Sequence, residues 1–542
     1  MRRPLFAALL ATSLAGSALA QTAPTQAPAS APSLFTPEAF RSHVAFLADD
    51  LLEGRDAGSR GYEIAARYVA SRFEAMGLRP AGTSGGWYQQ VPFVSATLAE
   101  APARVTIGGR VFANGEAVLV RPHASELSQV VEAPVVFAGY GLDAPGQGFD
   151  DYRGLNVRGK WVALLAGYPK GTPSDVGAHL NAEKMRMAER HGAVGVITLM
   201  TRGEIARRSW ARRTEAMREP ALSWVGAGDR PYNGAPGVRG AATFDVSAGE
   251  ALFQGAAKPF SAVLDEVAAG GRPRGFALRQ PVRLERQTIG RRITSPNVLA
   301  SIPGSDPSVA NEVVLLTAHL DHVGAHEGQP GDAIYNGALD NATGIATLLE
   351  AARAMAASPT RPRRTVTFAA LTAEEKGLLG AEYLAKNPVG GGKVVAVVNL
   401  DMPVLLYPFS DVIAFGANHS TLGPTVQRAA AGMGVKLSPD PLPEEGLFTR
   451  SDHYKFVREG IPSVFLMTGF EGQGEEKFRG FLRTNYHQPS DDLKQPIDWN
   501  AGARFAELNT RIAREIADAP QAPRWNANSF FAPRAQGRAA SR

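Results

Sequence analysis

The sequence predicts an α/β fold with a mainly parallel, mixed sheet flanked by helices and a smaller domain inserted into it. Beyond Ser295, apolar runs of strand length alternate with segments of helical periodicity, which is typical of a largely parallel sheet. Between about residues 112 and 278 the pattern changes, because short β-like runs are divided by glycines. The chain has 542 residues, of which 44% are hydrophobic, so more than one core is expected.

The N-terminus has the pattern of a cleaved secretory signal. Two arginines precede an apolar stretch that begins at Leu5, and the small residues Ala18 and Ala20 come just before Gln21. We therefore expect residues 1–20 to be a signal peptide and the mature protein to be periplasmic or secreted. No later segment has the roughly 18 uninterrupted apolar residues of a spanning helix, so no membrane anchor is expected.

The main domain is predicted to begin after a short linker. Residues 21–33 are rich in Pro, Ala and Ser, which is typical of a linker, and residues 34–111 follow as the first part of the main domain. Two helices are predicted in this part. The first, TPEAFRSHVAFLADDLLEGR, has Thr36 as its N-cap and Pro37 at its first position and is expected to run to Arg55, and the second ends before Gly77.

Residues 112–278 predict an inserted, β-rich α/β domain. The strand-like runs APVVFAGYGL, GKWVALLAGYP and VGVITLM accompany one helical segment, NAEKMRMAERHGA. No convergent set of titratable side chains stands out in this segment. A role in binding or as a lid is therefore favoured over a role in chemistry.

Residues 279–520 predict the second part of the main domain. Three strands, NEVVLLTAHLDH, RRTVTFAALTA and KVVAVVNLDM, are separated by the helices GIATLLEAARAMAAS and EEKGLLGAEYLAKN. The first of these helices has one apolar face, formed by Ile345, Leu348, Leu349, Ala352 and Met355. In open α/β sheets functional residues gather at the carboxyl ends of the strands, so a site is expected at that edge.

Acidic and imidazole side chains follow these three strands at the point where each one ends. They are His319 and Asp321 after the first strand, Glu374 and Glu375 after the second, Asp401 after the third, Asp340 just before a helix, and His487 in a turn far downstream. The chain contains no cysteine, so thiolate metal sites, disulfides and a cysteine nucleophile are excluded. Five hard or borderline ligands favour a zinc-type pair of ions with one bridging carboxylate.

Each of these residues also has a simpler interpretation when it is considered alone. Asp340 before a helix is typical of an N-cap, and His319 at a strand end is typical of a structural histidine. Glu374 and Glu375 together are typical of the first turn of a helix, where acidic residues complement the helix dipole. A metal centre is favoured because five candidate ligands coincide at one edge of the sheet.

Six motifs carry a family resemblance: AHLDH, NGALDNATG, LTAEEKGLLGA, VVNLDM, RSDHYKF and YHQPSDD. In this order and at these separations they resemble the co-catalytic zinc aminopeptidases related to bacterial leucyl aminopeptidase and glutamate carboxypeptidase II. The resemblance covers most of residues 34–110 and 285–515. It implies a zinc exopeptidase-like fold for a peptidase domain made of residues 34–111 and 279–520, and it implies that the insert is a protease-associated domain.

The resemblance also implies two Zn²⁺ ions and a role for each ligand. The implied assignment is His319 and Asp401 on one zinc, Glu375 and His487 on the other, and Asp340 bridging both. Glu374 is then free to act as general base, taking a proton from the attacking water and returning it to the leaving amine. Asp321, two residues beyond His319, is expected to orient that imidazole through its carboxylate.

Other polar residues near these motifs receive weaker interpretations. Ser451, Asp452 and His453 match a family segment near the substrate pocket, although a loop held by local side-chain hydrogen bonds is the simpler interpretation. His322 and His326 match no ligand position, so they are interpreted as loop residues.

The leading functional hypothesis is a secreted zinc aminopeptidase that releases N-terminal residues from peptide or protein substrates. Glutaminyl cyclisation with one zinc ion is an alternative on a related scaffold. Carboxypeptidase or dipeptidase action is another, in which Arg450, next to Ser451, would hold the substrate carboxylate. A binding protein with a vestigial site is disfavoured, because every ligand and the base are present.

The net charge of +5 does not indicate a nucleic-acid partner. Two arginines lie in the signal-like segment and four more in residues 521–542, which contain no acidic residue. The remainder of the chain is therefore close to neutral, and no surface for a polyanion is predicted. We expect residues 521–542 to form a disordered basic tail. The sequence gives no indication of the oligomeric state.

Overall fold

The structure is a computed structural model that describes Met1 and residues 34–100, 103–217, 219–326 and 328–532. Apart from Met1, the expected signal peptide and linker lie outside the described residues, as do residues 533–542 of the expected tail.

The chain begins with helices α1 (Pro37–Leu47) and α2 (Arg60–Ala75), followed by strands β1 (Arg79–Pro80), β2 (Tyr88–Leu98), β3 (Arg104–Ile107) and β4 (Arg110–Ala113).

The middle of the chain contains β5 (Val118–Leu119), β6 (Ser128–Ala133), β7 (Val135–Phe137), β8 (Asp143–Ala144), β9 (Phe149–Asp150), β10 (Trp161–Leu165), α3 (Ser174–Ala182), α4 (Lys184–Arg190), β11 (Gly195–Leu199), α5 (Arg202–Arg207), α6 (Trp210–Ala216), β12 (Ala221–Gly226), β13 (Arg230–Pro231), β14 (Gly240–Phe244), α7 (Val246–Leu252), α8 (Phe260–Ala268) and β15 (Phe276–Ala277).

The last part contains β16 (Val282–Ile302), β17 (Glu312–His319), β18 (Gly324–Ala325), β19 (Ile334–Tyr335), α9 (Thr343–Ala356), β20 (Thr365–Leu371), α10 (Leu379–Lys386), β21 (Lys393–Leu400), β22 (Asp411–Phe415), α11 (Leu422–Ala431), β23 (Lys436–Ser438), α12 (His453–Arg458), β24 (Ser463–Thr468), α13 (Gly474–Thr484) and α14 (Trp499–Asp518).

The main sheet is mixed and has a parallel centre. Strand β17 lies between β20 and β21 and is parallel to both, and β24 is parallel to β21. The neighbours on either side run the other way, because β16 is antiparallel to β20 and β22 is antiparallel to β24. The predicted fold class, a mainly parallel mixed sheet flanked by helices, is confirmed.

Both faces of this sheet are covered by helices. Alternate residues of a strand point to opposite faces, so Val314 and Leu316 of β17 pack in the large core with α1, α2, α9, α11 and α14. Leu315 points the other way and packs in a smaller core with residues of α10 and α12. The apolar face predicted for the helix after Asp340 is buried as α9, with Leu348 and Leu349 both 0% exposed.

The inserted segment has a separate sheet and apolar core. In this sheet β7, β10, β11 and β14 are parallel, and the core around Trp161 is built from residues between Ala103 and Leu284. The long strand β16 joins the two sheets, because its first residues pair with β3 and β6 and its last residues pair with β20. The described residues from Phe35 onward pack as one compact unit, so domain boundaries at 112 and 278 stay a prediction.

Two predicted helices have different bounds in the structure. The first was expected to run to Arg55, but α1 ends at Leu47 and a 3₁₀ segment occupies Asp50–Arg55. The helix expected to begin at Glu374 begins only at Leu379, because the chain turns through Ala373 and Leu378, both with positive φ. The two adjacent glutamates therefore lie in a turn and are not the first turn of a helix.

The prediction of disorder for residues 521–542 is wrong for residues 521–532. Trp525 donates its Nε1 hydrogen to the carbonyl of Gly460 at 2.7 Å, and Phe531 is fully buried in the large core. These aromatic side chains bury apolar surface that offsets the entropy cost of ordering the segment.

Among the described residues, no helix has the length and apolar character that crossing a bilayer requires.

Candidate metal centre

The residues predicted to bind metal come together at the carboxyl edge of the parallel strands. His319 is the last residue of β17, Glu375 follows β20, and Asp401 follows β21 directly. Because these strands are neighbours and parallel, their ends meet at one place. Asp340 lies in the segment just before α9, and His487 lies in the loop that follows α13.

The carboxylate of Asp340 lies between two imidazoles. Its Oδ1 is 3.3 Å from Nε2 of His319, and its Oδ2 is 3.2 Å from Nε2 of His487. The side chain is almost completely buried, so both oxygens are fixed by their surroundings. One carboxylate thus faces two separate donor positions, which is the arrangement of a bridging ligand.

Each of the two positions has one further carboxylate. At the first, Oδ1 of Asp401 is 3.1 Å from Nε2 of His319. At the second, Oε2 of Glu375 is 3.1 Å from Nε2 of His487. The structure therefore brings the five predicted ligands together and divides them between two positions in the way that the resemblance implies.

The hydrogen bonding of His319 provides a test of whether a cation fits the first position. The backbone carbonyl of Asp321 is 3.0 Å from Nδ1 and can only accept, so Nδ1 carries the hydrogen. Nε2 then faces two carboxylate oxygens and must hold either a proton or a metal ion between them. Although burial favours the neutral ring, the carboxylates of Asp401 and Glu374 raise the pKa of His319 well above its usual range. This donor set fits a metal ion.

Glu374 is the carboxylate of this site that the ligand assignment leaves free. Its carboxylate oxygens lie close to the ligand atoms of His319 and Glu375, all within 4.8 Å of one another, and the side chain is 9% exposed. Burial raises the pKa of Glu374 well above its usual range, and the nearby carboxylates of Asp401 and Glu375 raise it further. A buried carboxyl group with a raised pKa is suited to proton transfer.

Asp321 was predicted to orient His319 through its carboxylate, but it does so through its backbone carbonyl, which accepts from Nδ1 of His319. The carboxylate turns the other way and accepts from the amides of Glu374 and Glu375, at 3.1 and 3.2 Å. The reason is that β17 ends at His319, so the chain turns and brings the carbonyl of Asp321 back to the ring. Asp321 thus fixes the turn that carries the two glutamates.

His322 was interpreted as a loop residue, and the structure places it inside the cluster. Its Nδ1 is 2.8 Å from Oε1 of Glu375, and the residue is 0% exposed. The sequence held one signal, since His322 stands in the AHLDH motif, but no ligand position matched it. His326 lies farther out, where its Nε2 is 3.6 Å from Glu219 and its side chain is 37% exposed, as expected of a loop residue.

Asp491 supports the bridging ligand and was not singled out from the sequence. Its two carboxylate oxygens accept from the amides of Leu339 and Asp340, each at 3.0 Å. The only signal was its place in the YHQPSDD motif, four residues after His487. It holds the loop before α9 in the position that places the Asp340 carboxylate between the two imidazoles.

Arg55, from the N-terminal part of the chain, ties two ligand-bearing loops together. Its guanidinium donates to the carbonyl of Leu320 at 2.9 Å, of Asn336 at 2.6 Å and of Gly337 at 3.1 Å, and also to that of Leu47. The side chain is 1% exposed, and burial lowers its pKa to about 10. One buried cation therefore braces the backbone on both sides of the cluster.

Replacing Arg55 with methionine is expected to lower the free energy of unfolding by about 3 kcal/mol, because several buried carbonyls lose their donor. We also expect weaker metal binding, because the loops that carry His319 and Asp340 lose a common brace. Urea unfolding and zinc titration measure the two effects. Arg67→Met in α2 is the matched control, since Arg67 is exposed and its ion pair among the described residues is with Glu63. Equal stability of the two variants would contradict the bracing role.

The three residues predicted to contact substrate have different surroundings. Ser451 donates its hydroxyl hydrogen to Oδ2 of Asp401 and accepts from Nδ2 of Asn399 at 2.6 Å, so it supports a ligand. Asp452 is fully buried, and burial raises its pKa to about 8. His453 is fully buried between the rings of Phe448 and Phe465, each with its centroid at 5.3 Å, and burial lowers its pKa to about 3.

These environments leave the substrate role of Ser451 and Asp452 as a prediction. The burial of His453 between two aromatic rings counts against a direct contact with substrate.

Arg450 lies at the rim of the site. Its side chain is 44% exposed, with Nη1 3.4 Å from Oε2 of Glu445. Its Nη2 is 3.4 Å from the hydroxyl of Tyr486, whose ring centroid lies 3.9 Å from that of His487. A cation is thus held next to the second metal position, within a partly solvated ion pair.

Comparisons with known proteins agree with this geometry. Residues 297–513, which contain all five ligands, match the family model described as Peptidase family M28. Probable leucine aminopeptidase 2 of Aspergillus fumigatus is 30% identical over 216 residues, which cover 37% of this chain and 40% of that protein. A probable zinc metalloprotease of Pyrenophora tritici-repentis is 36% identical over 258 residues, covering 42% of this chain and 58% of that protein.

The fold is also found among solved structures. The aminopeptidase from Aneurinibacillus sp. strain AM-1 superposes with a TM-score of 0.50 at 19% sequence identity, covering 91% of this chain and 95% of that one. The alignments with the two curated relatives span less than two thirds of the length of either relative. The structural comparison thus concerns the fold, and the sequence comparisons concern only part of each chain.

Proposed function

We propose that the protein, whose residues 297–513 match the model of peptidase family M28, is a secreted zinc aminopeptidase that uses two metal ions. Its substrates would be peptides or proteins with a free N-terminus, from which it hydrolyses the first residue. Relatives named leucine aminopeptidase and zinc metalloprotease support the amino-terminal direction and the identity of the metal. Secretion is proposed from the signal-like segment before Gln21, and N-terminal sequencing of the exported protein would test it.

One observation carries this proposal. The buried carboxylate of Asp340 has one oxygen near His319 and the other near His487, at 3.3 and 3.2 Å, while Glu374 lies beside His319 and Glu375 and is not among the five assigned ligands. A structural metal site would use all its acids as ligands and would need no spare carboxylate. Two positions that share a bridge, with one acid outside the assigned ligands, are suited to hydrolysis by an activated water.

The chain supplies the ligands, their orientation and the proton carrier. Two zinc ions held by the five ligands would polarise the scissile carbonyl and lower the pKa of a water molecule, so that an amide is attacked at neutral pH. Glu374 takes the proton from the attacking water and returns it to the amine that leaves. Asp321 holds the amides of Glu374 and Glu375 and so fixes the proton carrier relative to the neighbouring ligand.

A carboxypeptidase or dipeptidase is the second candidate, and Arg450 is the observation that favours it. Its guanidinium contacts the hydroxyl of Tyr486, whose ring lies against that of His487. In this position it could hold a substrate carboxylate. Against this, Glu445 already pairs with Arg450 at 3.4 Å and would compete with the substrate.

Acetylation of the substrate N-terminus is expected to lower kcat/KM at least a hundredfold for the purified mature protein. The reason is that an aminopeptidase binds the free ammonium group, and blocking it removes a charged contact. Leu-, Ala-, Glu- and Lys-peptides, each with a free and an acetylated N-terminus, would be followed by mass spectrometry of the products. Peptides with an amidated C-terminus are the matched control.

Equal cleavage of free and acetylated peptides would contradict the aminopeptidase proposal. If the amidated peptides were then resistant and Arg450→Gln lowered turnover of the free acids, the second candidate would replace it. Release of ammonia and a pyroglutamyl product from Gln-peptides would instead indicate a glutaminyl cyclase.

A further inference from the structure

His322 is a buried histidine that contacts Glu375, one of the predicted metal ligands. Its Nδ1 is 2.8 Å from Oε1 of Glu375, which is a hydrogen-bond distance. The other oxygen of the same carboxylate, Oε2, is 3.1 Å from Nε2 of His487. Each oxygen of Glu375 thus has its own imidazole partner.

The direction of this hydrogen bond follows from the two groups. An ionised carboxylate can only accept, so Nδ1 of His322 carries the hydrogen and donates it. The opposite ring nitrogen, Nε2, is buried and has no hydrogen-bond partner among the described residues. Among the described residues, the hydrogen bond of the ring is therefore the one to Glu375.

Packing holds the ring in this orientation. A Cβ atom placed on Gly337 would lie 2.6 Å from both Cγ and Cδ2 of His322, so the backbone there lies directly against the ring. The ring of His487 stands edge-on to it, with the centroids 5.5 Å apart. The amide of His322 donates to the carbonyl of Arg55 at 3.3 Å. Contacts with Gly337, His487 and the backbone of Arg55 therefore hold His322 in the orientation in which its imidazole bonds to Glu375.

We propose that His322 is a positioning residue that makes Glu375 bind metal through Oε2 alone. Oε1 accepts the hydrogen bond from His322 and is therefore not available to the ion. Glu375 would then occupy one coordination position of the metal, which leaves another position open for substrate or water. This inference rests on the proposed two-metal function and deepens it. It adds a fourth side chain to Asp340, Glu375 and His487, which would hold the second ion.

Direct ligation by His322 is the competing interpretation. The distance from Nδ1 to the bridging oxygen, Oδ2 of Asp340, is 3.9 Å, which is longer than the 3.1 and 3.2 Å that separate Nε2 of His487 from its two carboxylate partners. The 2.8 Å contact with Glu375 is the length of a charge-assisted hydrogen bond. The Nδ1 of His322 lies within 4.8 Å of the donor atoms of Asp340, Glu375 and His487, but it is closer to Glu375 than to the bridging carboxylate of Asp340.

The test is metal binding to the metal-free full chain, without substrate. His322→Leu removes the donor, whereas His322→Asn keeps one, because the amide Nδ2 stands as many bonds from the backbone as the imidazole Nδ1. We expect His322→Leu to bind one of two zinc ions about 10- to 100-fold more weakly, and His322→Asn to stay within about threefold of wild type. His326→Asn, in the same loop, is the matched control and should bind as wild type does.

Zinc affinities would come from competition with a chromophoric chelator, and the visible absorption of the cobalt-substituted protein would report the coordination of each site. His322→Ala serves as a second donor-free variant if His322→Leu does not fold. Wild-type affinity in a donor-free variant would overturn the proposal. Equal weakening of His322→Asn and the donor-free variant, with a changed cobalt spectrum in both, would overturn it in favour of direct ligation.

The outcome for wild type separates this inference from the proposed function. If the wild-type protein itself binds fewer than two ions, the two-metal proposal fails. If wild type binds two ions and the donor-free variants bind them equally well, only the role of His322 fails.

Discussion

Glu374→Gln is expected to lose turnover by about a thousandfold while it still binds two metal ions. Glutamine has the shape of glutamate but cannot take a proton from the attacking water or return it to the leaving amine. The metal ions should remain because Glu374 is not one of the five ligands, which are divided between the two positions without it. The measurements are kcat with a free-amine peptide and the zinc content of the same sample.

Glu475→Gln is the matched control for this substitution, because Glu475 is exposed in α13 and, within the part of the chain that the structure describes, forms its ion pair with Arg479. It should keep wild-type turnover and metal content. Turnover of Glu374→Gln comparable to that of wild type would show that another group carries the proton. Loss of one zinc ion from Glu374→Gln would show that Glu374 is a ligand and would require a different proton carrier.

Asp340→Asn is expected to weaken both metal positions together, by about a hundredfold or more, and to abolish turnover. The neutral amide removes the negative charge that lies between the two ions, and it offers one oxygen where the carboxylate offers two. In the structure each oxygen serves one position, Oδ1 beside His319 and Oδ2 beside His487. Calorimetric titration of the metal-free protein with zinc would measure both affinities.

Asp401→Asn provides the comparison, because Asp401 lies near the imidazole of His319 and should affect mainly the first position. The bridging role predicts two weakened sites in Asp340→Asn and one in Asp401→Asn. A single weakened site in Asp340→Asn, with the other at wild-type affinity, would contradict the bridge. Melting curves of the metal-free variants would separate loss of ligand from loss of fold.

The fold could be predicted from the sequence because its determinants are local. Alternating apolar runs and helical periodicity predict the parallel centre of the sheet, and β17, β20 and β21 lie within the predicted strands. Four of the five candidate ligands were found the same way, since each stands at the end of a strand or just before a helix, whereas the metal role of His487 was implied by the family resemblance. The start of α10 was missed because a run of helix-forming residues does not reveal that Asp321 holds the preceding turn.

Side-chain direction within the site could not be predicted. The sequence places His322 and Asp321 beside His319, but which group of each contacts which partner depends on how the chain turns after β17. His322 bonds to Glu375, 53 residues away, and Arg55 bonds to the carbonyl of Leu320, 265 residues away. Such contacts have no periodicity, so no sequence pattern reports them.

The sequence by itself determined the class of the fold, the edge of the sheet at which the site lies and the chemical types available there. These follow from hydrophobic periodicity and from the absence of cysteine, which both act residue by residue along the chain. Only the tertiary structure decided that Asp340 stands between two imidazoles, that His322 faces Glu375, and that the segment with Trp525 packs on the core. These features depend on distances between residues that are remote in sequence, and those distances are fixed only when the strands pair and the loops close over their ends.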